Sequence, residues 1–412
     1  MTFATIVPRL PAELTDMVID HLWDSKPALA AASLVARAWL PRSRVHKFAQ
    51  VCVESDFAGL RTTLQHTPLL RPYIRTLVLR GPDAYSDAAT DDDAAAPDAP
   101  RAVLAPVLLA ELLQLLPRLH TLHLHRLSLH APPAHTTALP GFALHRLARL
   151  ALVGVGGPHD TAGDVLRVLA LFADIGSLHL EGLAHAPAPA PPAHWACDRR
   201  VRVGAVKIEN APTDTCLELL RAAGAPRALR ALEAEVADGE DAAALARLLA
   251  EAGPAVEHVA VDLAHCFRPA HDAEDPADVF LPAPQAIADT LGAGLALCTG
   301  LRRAAFVVPA DEPDADAWAC LVHALKRVPA ATPELEVRLS AESWEEQVPL
   351  ERLGLAWDEL RDVLRRFTAL RAVTVGLADD SPWALEAEDA EYVQRQLDVL
   401  AERGVLHVEV GF

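Results

Sequence analysis

One short apolar pattern recurs along the chain and limits its possible folds more than any other feature. The pattern is φ-x-x-φ-x-φ, where φ is aliphatic in nearly every copy, and it occurs eleven times. Across six consecutive copies, the middle φ residues are spaced by 26 to 28 residues. Such a regular interval predicts an array of similar structural units. The middle residues are Leu77, Leu122, Leu150, Leu178, Val206, Leu232, Val259, Ala304, Leu335, Val373 and Val408.

Stretches with the apolar spacing of amphipathic helices lie between these copies. A strand of about five residues followed by a helix of about twelve is a β–α unit, and successive β–α units form a parallel sheet. One unit cannot bury its own apolar side, whereas stacked units share a continuous core. Thr161, followed by Asp164, and Thr213 are predicted helix caps. The helical stretches are 103–116, 162–172, 213–223, 241–252, 284–297, 315–328 and 357–367.

The repeated strands resemble those of the leucine-rich-repeat family, whose L-x-x-L-x-L strands line the inside of a horseshoe. The resemblance covers about residues 70–412 and implies an α/β solenoid, here an irregular leucine-rich-repeat horseshoe with a parallel sheet. The chain departs from the family because the Asn or Cys expected three residues after the last φ is missing. The alternative is an ordinary pair of α/β domains, which would also alternate strands and helices. The departing positions are Leu127, Val155, Leu183, Ala211, Ala237 and Ala264.

Two domains are predicted from this organisation. Residues 1–50 form a small helical module, and residues 51–412 form a solenoid of about eleven β–α units. Three low-complexity insertions, near 81–101, 184–192 and 267–284, are rich in Ala, Pro or Asp. They lack the apolar content needed to pack against a core, and we expect them to be loops.

The N-terminal module has the apolar pattern of three short helices. Leu14, Val18 and Leu22 share one helical stripe, a second helix begins near Pro27, and a third short helical segment carries Phe48. Three helices in about forty residues are too small to bury every apolar side chain among themselves. We therefore expect some apolar surface to remain available for a partner.

The motifs of this module resemble the F-box, in the F-box-like form common in fungal chains. They are LPAEL at 10–14 and SLVARAW at 33–39, and the resemblance covers about residues 8–48. Ala36 stands where the family usually has Cys. The resemblance implies docking onto a Skp-type adaptor and, through it, onto a cullin ligase core. The residues that it places at or beneath the contact are Leu10, Pro11, Leu14, Leu34, Val35 and Trp39.

Side chains of a strand alternate, so the residues flanking the buried φ positions should line the open concave face of the sheet. Two groups on this face are candidates for target binding. One is a histidine group, and the other is an acidic strip that could receive a basic segment of a target protein. The histidines are His123, His125 and His179, and the acidic residues are Glu209, Glu233, Glu235 and Asp262.

Composition and local sequence argue against nucleic-acid and membrane partners and indicate where the protein is located. The formal net charge of −19 disfavours nucleic acid and anionic membrane surfaces. No apolar run has the length of a membrane-spanning helix, and Pro8, Arg9 and Pro11 near the start argue against a signal peptide. Six scattered cysteines without a C-x-x-C pair predict free buried thiols and a cytoplasmic or nuclear protein.

No motif predicts catalysis, a metal site or a cofactor. His123 and His125 could share a zinc ion. A third ligand from His179 or Glu181 would lie two repeats away, at about 10 Å, which is too far for one ion. The glycines of the GVGG turn at 154–157 lack the spacing of a phosphate-binding loop. An unrecognised α/β hydrolase would need a deep pocket ringed by titrating groups.

The resemblance to the F-box, together with the repeats, implies a non-enzymatic substrate-recognition subunit of an SCF-type ubiquitin ligase. The N-terminal helices would bind the adaptor, and the repeats would hold an unknown target protein. The alternative is a leucine-rich-repeat scaffold unrelated to ubiquitin, in which the same helices only cap the solenoid.

Overall fold

The computed structural model describes residues 11–82, 102–129, 145–156, 161–183, 200–264, 266, 284–309, 315–340, 350–377 and 385–409. The chain divides into two compact units, residues 1–158 and residues 159–412. Each unit is an α/β structure with parallel strands. Leu10 and nearly all of the three predicted low-complexity loops lie outside the described residues.

The first unit opens with three helices and continues with strands that alternate with helical segments. Its main sheet has the order β1-β2-β4-β6 with every pair parallel, and β3 pairs with β5 in a separate two-stranded sheet. The elements are α1 (Ala12–Asp20), α2 (Lys26–Val35), α3 (Leu40–Lys47), β1 (Gln50–Glu54), α4 (Phe57–His66), a 3-10 helix (Pro68–Tyr73), β2 (Thr76–Arg80), β3 (Ala102–Val103), α5 (Pro106–Leu115), β4 (Thr121–His125), β5 (Leu127–Ser128) and β6 (His145–Val153).

The second unit repeats the β–α alternation through to its end. Within the described residues, the strands β7 to β14 are parallel and pair in chain order. Successive helices from α6 to α12 contact one another. The elements are α6 (Thr161–Leu169), β7 (Phe172–Glu181), β8 (Arg202–Glu209), α7 (Thr213–Ala222), β9 (Ala231–Glu235), α8 (Gly239–Ala252), β10 (His258–Asp262), α9 (Pro284–Leu295), β11 (Arg303–Pro309), α10 (Ala315–Leu325), β12 (Glu334–Ser340), α11 (Trp357–Leu364), β13 (Ala372–Leu377), α12 (Ala387–Gln396), α13 (Asp398–Glu402) and β14 (Leu406–Val408). Short 3-10 helices precede β9, β10 and α11 (Ala225–Ala228, Gly253–Ala255 and Leu350–Leu353).

The pairing register explains why the apolar pattern predicts the strands. In the first unit Leu77 lies opposite Leu122, which lies opposite Leu150, and all three are buried. In the second unit the same ladder of buried middle residues runs without a shift from Leu178 to Val373. A one-residue slip would move a strand's apolar set to the other face, so this burial stabilises one register strongly. The predicted parallel α/β arrangement is confirmed.

The last copy of the pattern was assigned to the wrong register. Val373 pairs with Leu406, not with Val408, and Val408 lies opposite Val375. The error is two residues, which leaves the side chains on the predicted face. A left-handed turn at Gly404 ends the preceding helical segment and sets where β14 begins. Aliphatic spacing favoured the wrong register, because the observed one would begin the pattern at Arg403, which is not aliphatic.

The first strand was not predicted at all. Phe48, Val51 and Val53 have the repeat spacing, but Phe48 was assigned to a helical segment. In the structure Phe48 terminates α3, and Val51 and Val53 lie opposite Leu77 and Leu79. The main sheet of the first unit therefore begins one strand earlier than the pattern indicates.

Helix capping also differs from the prediction at one helix. Thr213 does not cap α7, because it is the first helical residue and its hydroxyl donates to the Ala211 carbonyl. The free N–H of Asp214 instead donates to the Asp241 carboxylate, at 2.8 Å, from the next helical repeat. A neighbouring repeat thus supplies the cap that the local sequence was expected to provide.

The described cysteines are free, as predicted, but not all are buried. Cys216, Cys266, Cys298 and Cys320 are buried, whereas Cys52 is exposed on the first strand. That strand was missing from the prediction, so the position of Cys52 could not be judged. Among the described residues, no helix combines the length and apolar character required to cross a bilayer.

Candidate interaction surfaces

The three N-terminal helices are held together by a small core and one ionic cluster. Ile19 of α1 and Leu29 of α2 are fully buried. Asp20 at the end of α1 accepts a hydrogen bond from Arg42 Nε at 2.5 Å and another from the Arg42 Nη2 group, and its Oδ1 lies 2.7 Å from His46 Nε2. Both partners are on α3, so the cluster fastens the first helix to the third.

The ionic cluster shifts the charge states of its members. Hydrogen bonds from Arg42, and then from His46, hold the pKa of the Asp20 carboxyl well below its usual range. The same bond to Asp20 raises the pKa of the Arg42 guanidinium. Asp20 and Arg42 are still about one-third exposed or more, so solvent weakens their attraction.

Large apolar side chains remain uncovered on these helices. Leu34 and Val35, at the end of α2, are 86% and 65% exposed, and Trp23, just after α1, is 68% exposed. Leu14 is 47% exposed and continues in a stripe with Met17 and Val18. Single exposed apolar residues are ordinary, but several in one short segment are typical of a binding surface.

The residues assigned by the F-box-like motif occupy different environments. Pro11, Leu14, Leu34 and Val35 are exposed. Trp39 is half-buried, and its carbonyl accepts a hydrogen bond from the buried hydroxyl of Ser43. Met17 and Trp23 were not named as contact residues, although Met17 follows Leu14 by three residues and shares its helical face.

The face of each sheet opposite the buried φ residues is half-exposed and carries the predicted histidines and acids. In the first unit, the rings of His123 and His125 stack with centroids 5.8 Å apart. In the second unit, His179 and Glu181 lie on β7, directly opposite Lys207 and Glu209 of β8. The register therefore brings these four side chains of the second unit together.

Lys207 lies within the acidic strip and pairs with two of its members. Its Nζ is 2.6 Å from Glu209 Oε1 and 2.9 Å from Glu233 Oε1. Glu209 Oε2 lies 2.7 Å from His179 Nε2, which is also 3.6 Å from Glu181 Oε2. The strip is therefore an ordered network of both charge signs. Reasoning from the acids alone overlooked Lys207, although its flanking position in the pattern was visible.

These contacts set the ionisation of the network. Burial alone would raise the pKa of Glu209, but hydrogen bonds from Lys207 and His179 outweigh it and lower that pKa. Burial would lower the pKa of Lys207, but its bonds to Glu209 and Glu233 raise it instead. Both residues are charged at neutral pH.

The two remaining acids of the strip accept backbone hydrogen bonds. Glu235 accepts from the N–H of Asn210, at 2.9 Å, and Asp262 accepts from the N–H of Ala264, at 2.8 Å. Asn210 has a positive φ of 48°, the left-handed conformation that Asn adopts more readily than most residues with a side chain and that is typical of tight turns. The Glu235 bond therefore helps to hold a tight turn, and the strip contributes to local structure.

Two surface pockets in the second unit lie elsewhere. One of about 430 Å³ is bordered mainly by acidic residues of the α12 region together with Tyr392 and Arg395. The other, of about 190 Å³, lies beside Trp318 and the segment at 353–356. Neither pocket includes a predicted site residue.

Comparison with known proteins does not connect these surfaces to a family. No protein-family model matches the chain, and no curated protein matches it.

Proposed function

We propose that this chain is the substrate-recognition subunit of an SCF-type cullin ubiquitin ligase. In this proposal the N-terminal helices dock onto a Skp-type adaptor, and a divergent leucine-rich-repeat horseshoe binds the target protein. The chain itself performs no catalysis and contributes by holding the target close to the ligase.

The exposure of Leu34 and Val35 carries this proposal. Both residues belong to the motif that the resemblance assigns to the adaptor contact, and both are largely solvated in the isolated chain. Complete burial of one such side chain contributes about 1.5–3 kcal/mol. Together with Leu14, they supply a hydrophobic anchor large enough to offset part of the entropic cost of association.

The half-exposed sheet faces are the surfaces proposed for the target. In the second unit, the ordered network of His179, Lys207, Glu209 and Glu233 offers both hydrogen-bond donors and acceptors. Groups already held in place lose little freedom when a partner binds, which favours specific recognition over simple attraction of a basic segment.

Capture of a purified Skp-type adaptor tests the docking step. We expect the double substitution Leu34→Asp and Val35→Asp to abolish capture, because two carboxylates would be buried in the contact. The matched control is Leu69→Asp. Leu69 is 74% exposed on the 3-10 helix of the same unit and is not part of the motif. Undiminished capture by the double variant, or equal loss in the control, contradicts adaptor docking through this surface.

The second candidate is a scaffold in which the helices only cap the repeats. It is favoured by the contact between α3 and the 3-10 helix Pro68–Tyr73, and by the direct passage from α3 into β1. A capping role predicts that the wild-type chain fails to capture the adaptor, while Leu29→Ala lowers the stability of the first unit by about 2–5 kcal/mol. Adaptor capture by the wild type rejects a role limited to capping.

A further inference from the structure

Three metal-ligating side chains converge on the half-exposed face of the second unit. They are His179 and Glu181, which project from the same face of β7, and Glu209, which lies opposite Glu181 on β8. One potential ligand atom from each residue lies within 4.8 Å of the other two. The His179 side chain is only 16% accessible, whereas the Glu181 and Glu209 side chains are half-exposed, at 38% and 37%.

We propose that His179, Glu181 and Glu209 form a binding site for a divalent transition-metal ion of the Zn²⁺ class. The ligands would be His179 Nε2 and one oxygen from each carboxylate. This proposal does not depend on adaptor docking.

The separations are close to those that zinc needs. Zinc binds histidine nitrogen and carboxylate oxygen at about 2.0–2.2 Å, so tetrahedral ligands stand roughly 3.4 Å apart. His179 Nε2 is 3.6 Å from Glu181 Oε2 and 2.7 Å from Glu209 Oε2. The Glu209 oxygen must withdraw by less than about 1 Å, which a small side-chain rotation can provide. Three protein ligands leave one tetrahedral position for water or for a ligand supplied by another molecule.

The charge around the site favours a cation. Glu181 and Glu209 are directly opposed on neighbouring strands, where like charges destabilise the pairing. Among the described residues, Glu181 forms an ion pair with His179, whose Nε2 lies 3.6 Å from Glu181 Oε2. A metal ion between the two carboxylates would remove their repulsion and would replace the hydrogen bond between His179 and Glu209.

Lys207 supports the site instead of occupying it. Its Nζ holds Glu209 through Oε1, while the proposed metal ligand is Oε2. Lys207 is itself held by Glu233 at 2.9 Å. A hydrogen bond that fixes the orientation of a ligating carboxylate supports metal binding, and Glu233 balances the Lys207 charge, which by itself would oppose a cation.

Reasoning from the sequence pattern missed this site, although Glu181 and Glu209 occupy equivalent flanking positions of consecutive copies. It directed attention to His123 and His125, which are two close imidazoles on one strand. The third ligand, Glu209, is 28 residues from Glu181 in the chain and reaches it only through strand pairing.

Zinc titration of the full-length chain in competition with a chromogenic chelator tests the proposal. We expect one saturable equivalent in the wild type, and at least about tenfold weaker binding in His179→Gln. Co²⁺ should give the visible absorption of a tetrahedral site in the wild type, and His179→Gln should lose it. The matched control is His258→Gln, an exposed histidine on β10 of the same sheet, which should bind as the wild type does.

Glu181→Gln provides a second variant in case His179→Gln does not fold. Its side chain is 38% accessible and makes only the long contact to His179 among the described ion pairs, so we expect normal folding and at least about tenfold weaker zinc binding. Absence of saturable zinc binding in the wild type overturns the proposal. So does wild-type affinity in either His179→Gln or Glu181→Gln, or an equal loss in His258→Gln.

Discussion

The N-terminal helices and the sheet face of the second unit differ in what they leave at the surface. On the helices, large apolar side chains such as Leu34 and Trp23 lie exposed around a very small core. On the sheet face, the polar side chains of His179, Lys207 and Glu209 bond to one another above a continuous apolar core. The helices thus leave apolar area uncovered, whereas the sheet face is largely satisfied within the chain.

This difference follows from the number of neighbours that each element has. A strand in the middle of a repeat array is flanked by a similar strand on each side, so both its φ residues and its polar residues find partners. Three short helices enclose too little volume to cover all their apolar side chains. Binding at the helices should depend on hydrophobic burial, and binding at the sheet face should depend on the order of its polar groups.

The largest effect should come from removing apolar volume where it is buried. Leu178→Ala, in the buried ladder of the second unit, should lower the free energy of unfolding by about 2–5 kcal/mol because it leaves a cavity. Leu34→Ala should change it by less than about 0.5 kcal/mol, because that side chain is already solvated. Urea unfolding measures both changes. A comparable loss of stability in the two variants would show that Leu34 is buried in the isolated chain. The N-terminal helices would then not differ from the sheet in exposed apolar surface.

The pH dependence of stability should have opposite signs in the two regions. In the second unit, burial raises the pKa of Asp241 to about 6, although hydrogen bonds from the N–H groups of Ala237 and Asp214 act in the other direction. The folded state then holds a proton that the unfolded state has released, so Asp241 makes the protein less stable as pH rises from about 4 through 6. The loss is on the order of 3 kcal/mol, since one pKa unit corresponds to about 1.4 kcal/mol.

Asp20, in the N-terminal helices, should respond in the other direction. Its pKa is lowered in the folded state, so its contribution is present above the unfolded pKa of about 4 and is lost as pH falls below it. Urea midpoints measured from pH 3 to 8 for the wild type, Asp241→Asn and Asp20→Asn separate the two effects. A wild-type pH profile whose shape is unchanged by Asp241→Asn would show that the pKa of Asp241 is the same in the folded and unfolded states.

A smaller effect tests whether buried polar groups of the second unit depend on their neighbours. Glu336 of β12 is buried and forms ion pairs with Arg303 and Arg338. Arg338→Met should lower the free energy of unfolding by about 1–3 kcal/mol, because it removes a partner of a buried carboxylate. The control is Arg302→Met: Arg302 is exposed and lies 3.6 Å from Glu257, and such a surface pair contributes about 0–1 kcal/mol. Equal losses of stability in Arg338→Met and Arg302→Met would mean that water takes the place of the Arg338 guanidinium beside Glu336.

The smallest effect on stability is expected at Cys52. This thiol is exposed, so an aromatic disulfide reagent should modify it in the native protein without unfolding. Burial raises the pKa of Cys216 and Cys320 to about 12 and that of Cys298 to about 11, so these thiols should react only after unfolding. Cys52→Ser should abolish the fast modification of the described thiols and change stability by less than about 0.5 kcal/mol. Fast modification of Cys216 in the native state would show that the second unit opens locally.

The strands were predictable because their signal is local and repeated. Leu122, Leu150 and Leu178 each lie in a six-residue pattern whose φ residues must be buried together, and the structure buries all three. The pattern was less informative at the ends of the array. Phe48 fits both a helix and the repeat, and the apolar residues at 405–410 fit the pattern two residues away from the observed register, so tertiary contacts were needed to assign both ends.

The histidines and acids predicted to flank the φ positions do lie on strands, but their interactions were not foreseen. Glu209 and Glu233 were interpreted as open negative charges, whereas Lys207 lies between them. The prediction that Thr213 caps α7 was wrong for a similar reason. Asp241, in the next repeat, supplies the acceptor for the free N–H of Asp214. The Lys207–Glu233 and Asp214–Asp241 contacts each join residues about one repeat apart in sequence.

The sequence by itself determined the order of β–α units, the parallel pairing and the identity of the buried ladder, because burial of apolar side chains follows a short-range periodicity. The tertiary structure alone decided which polar groups meet, where Leu34 and Val35 lie relative to the helical core, and how Glu209 joins His179 and Glu181. Polar contacts depend on atomic separations of a few ångströms. Those separations are set by the register between repeats and not by the local pattern within one.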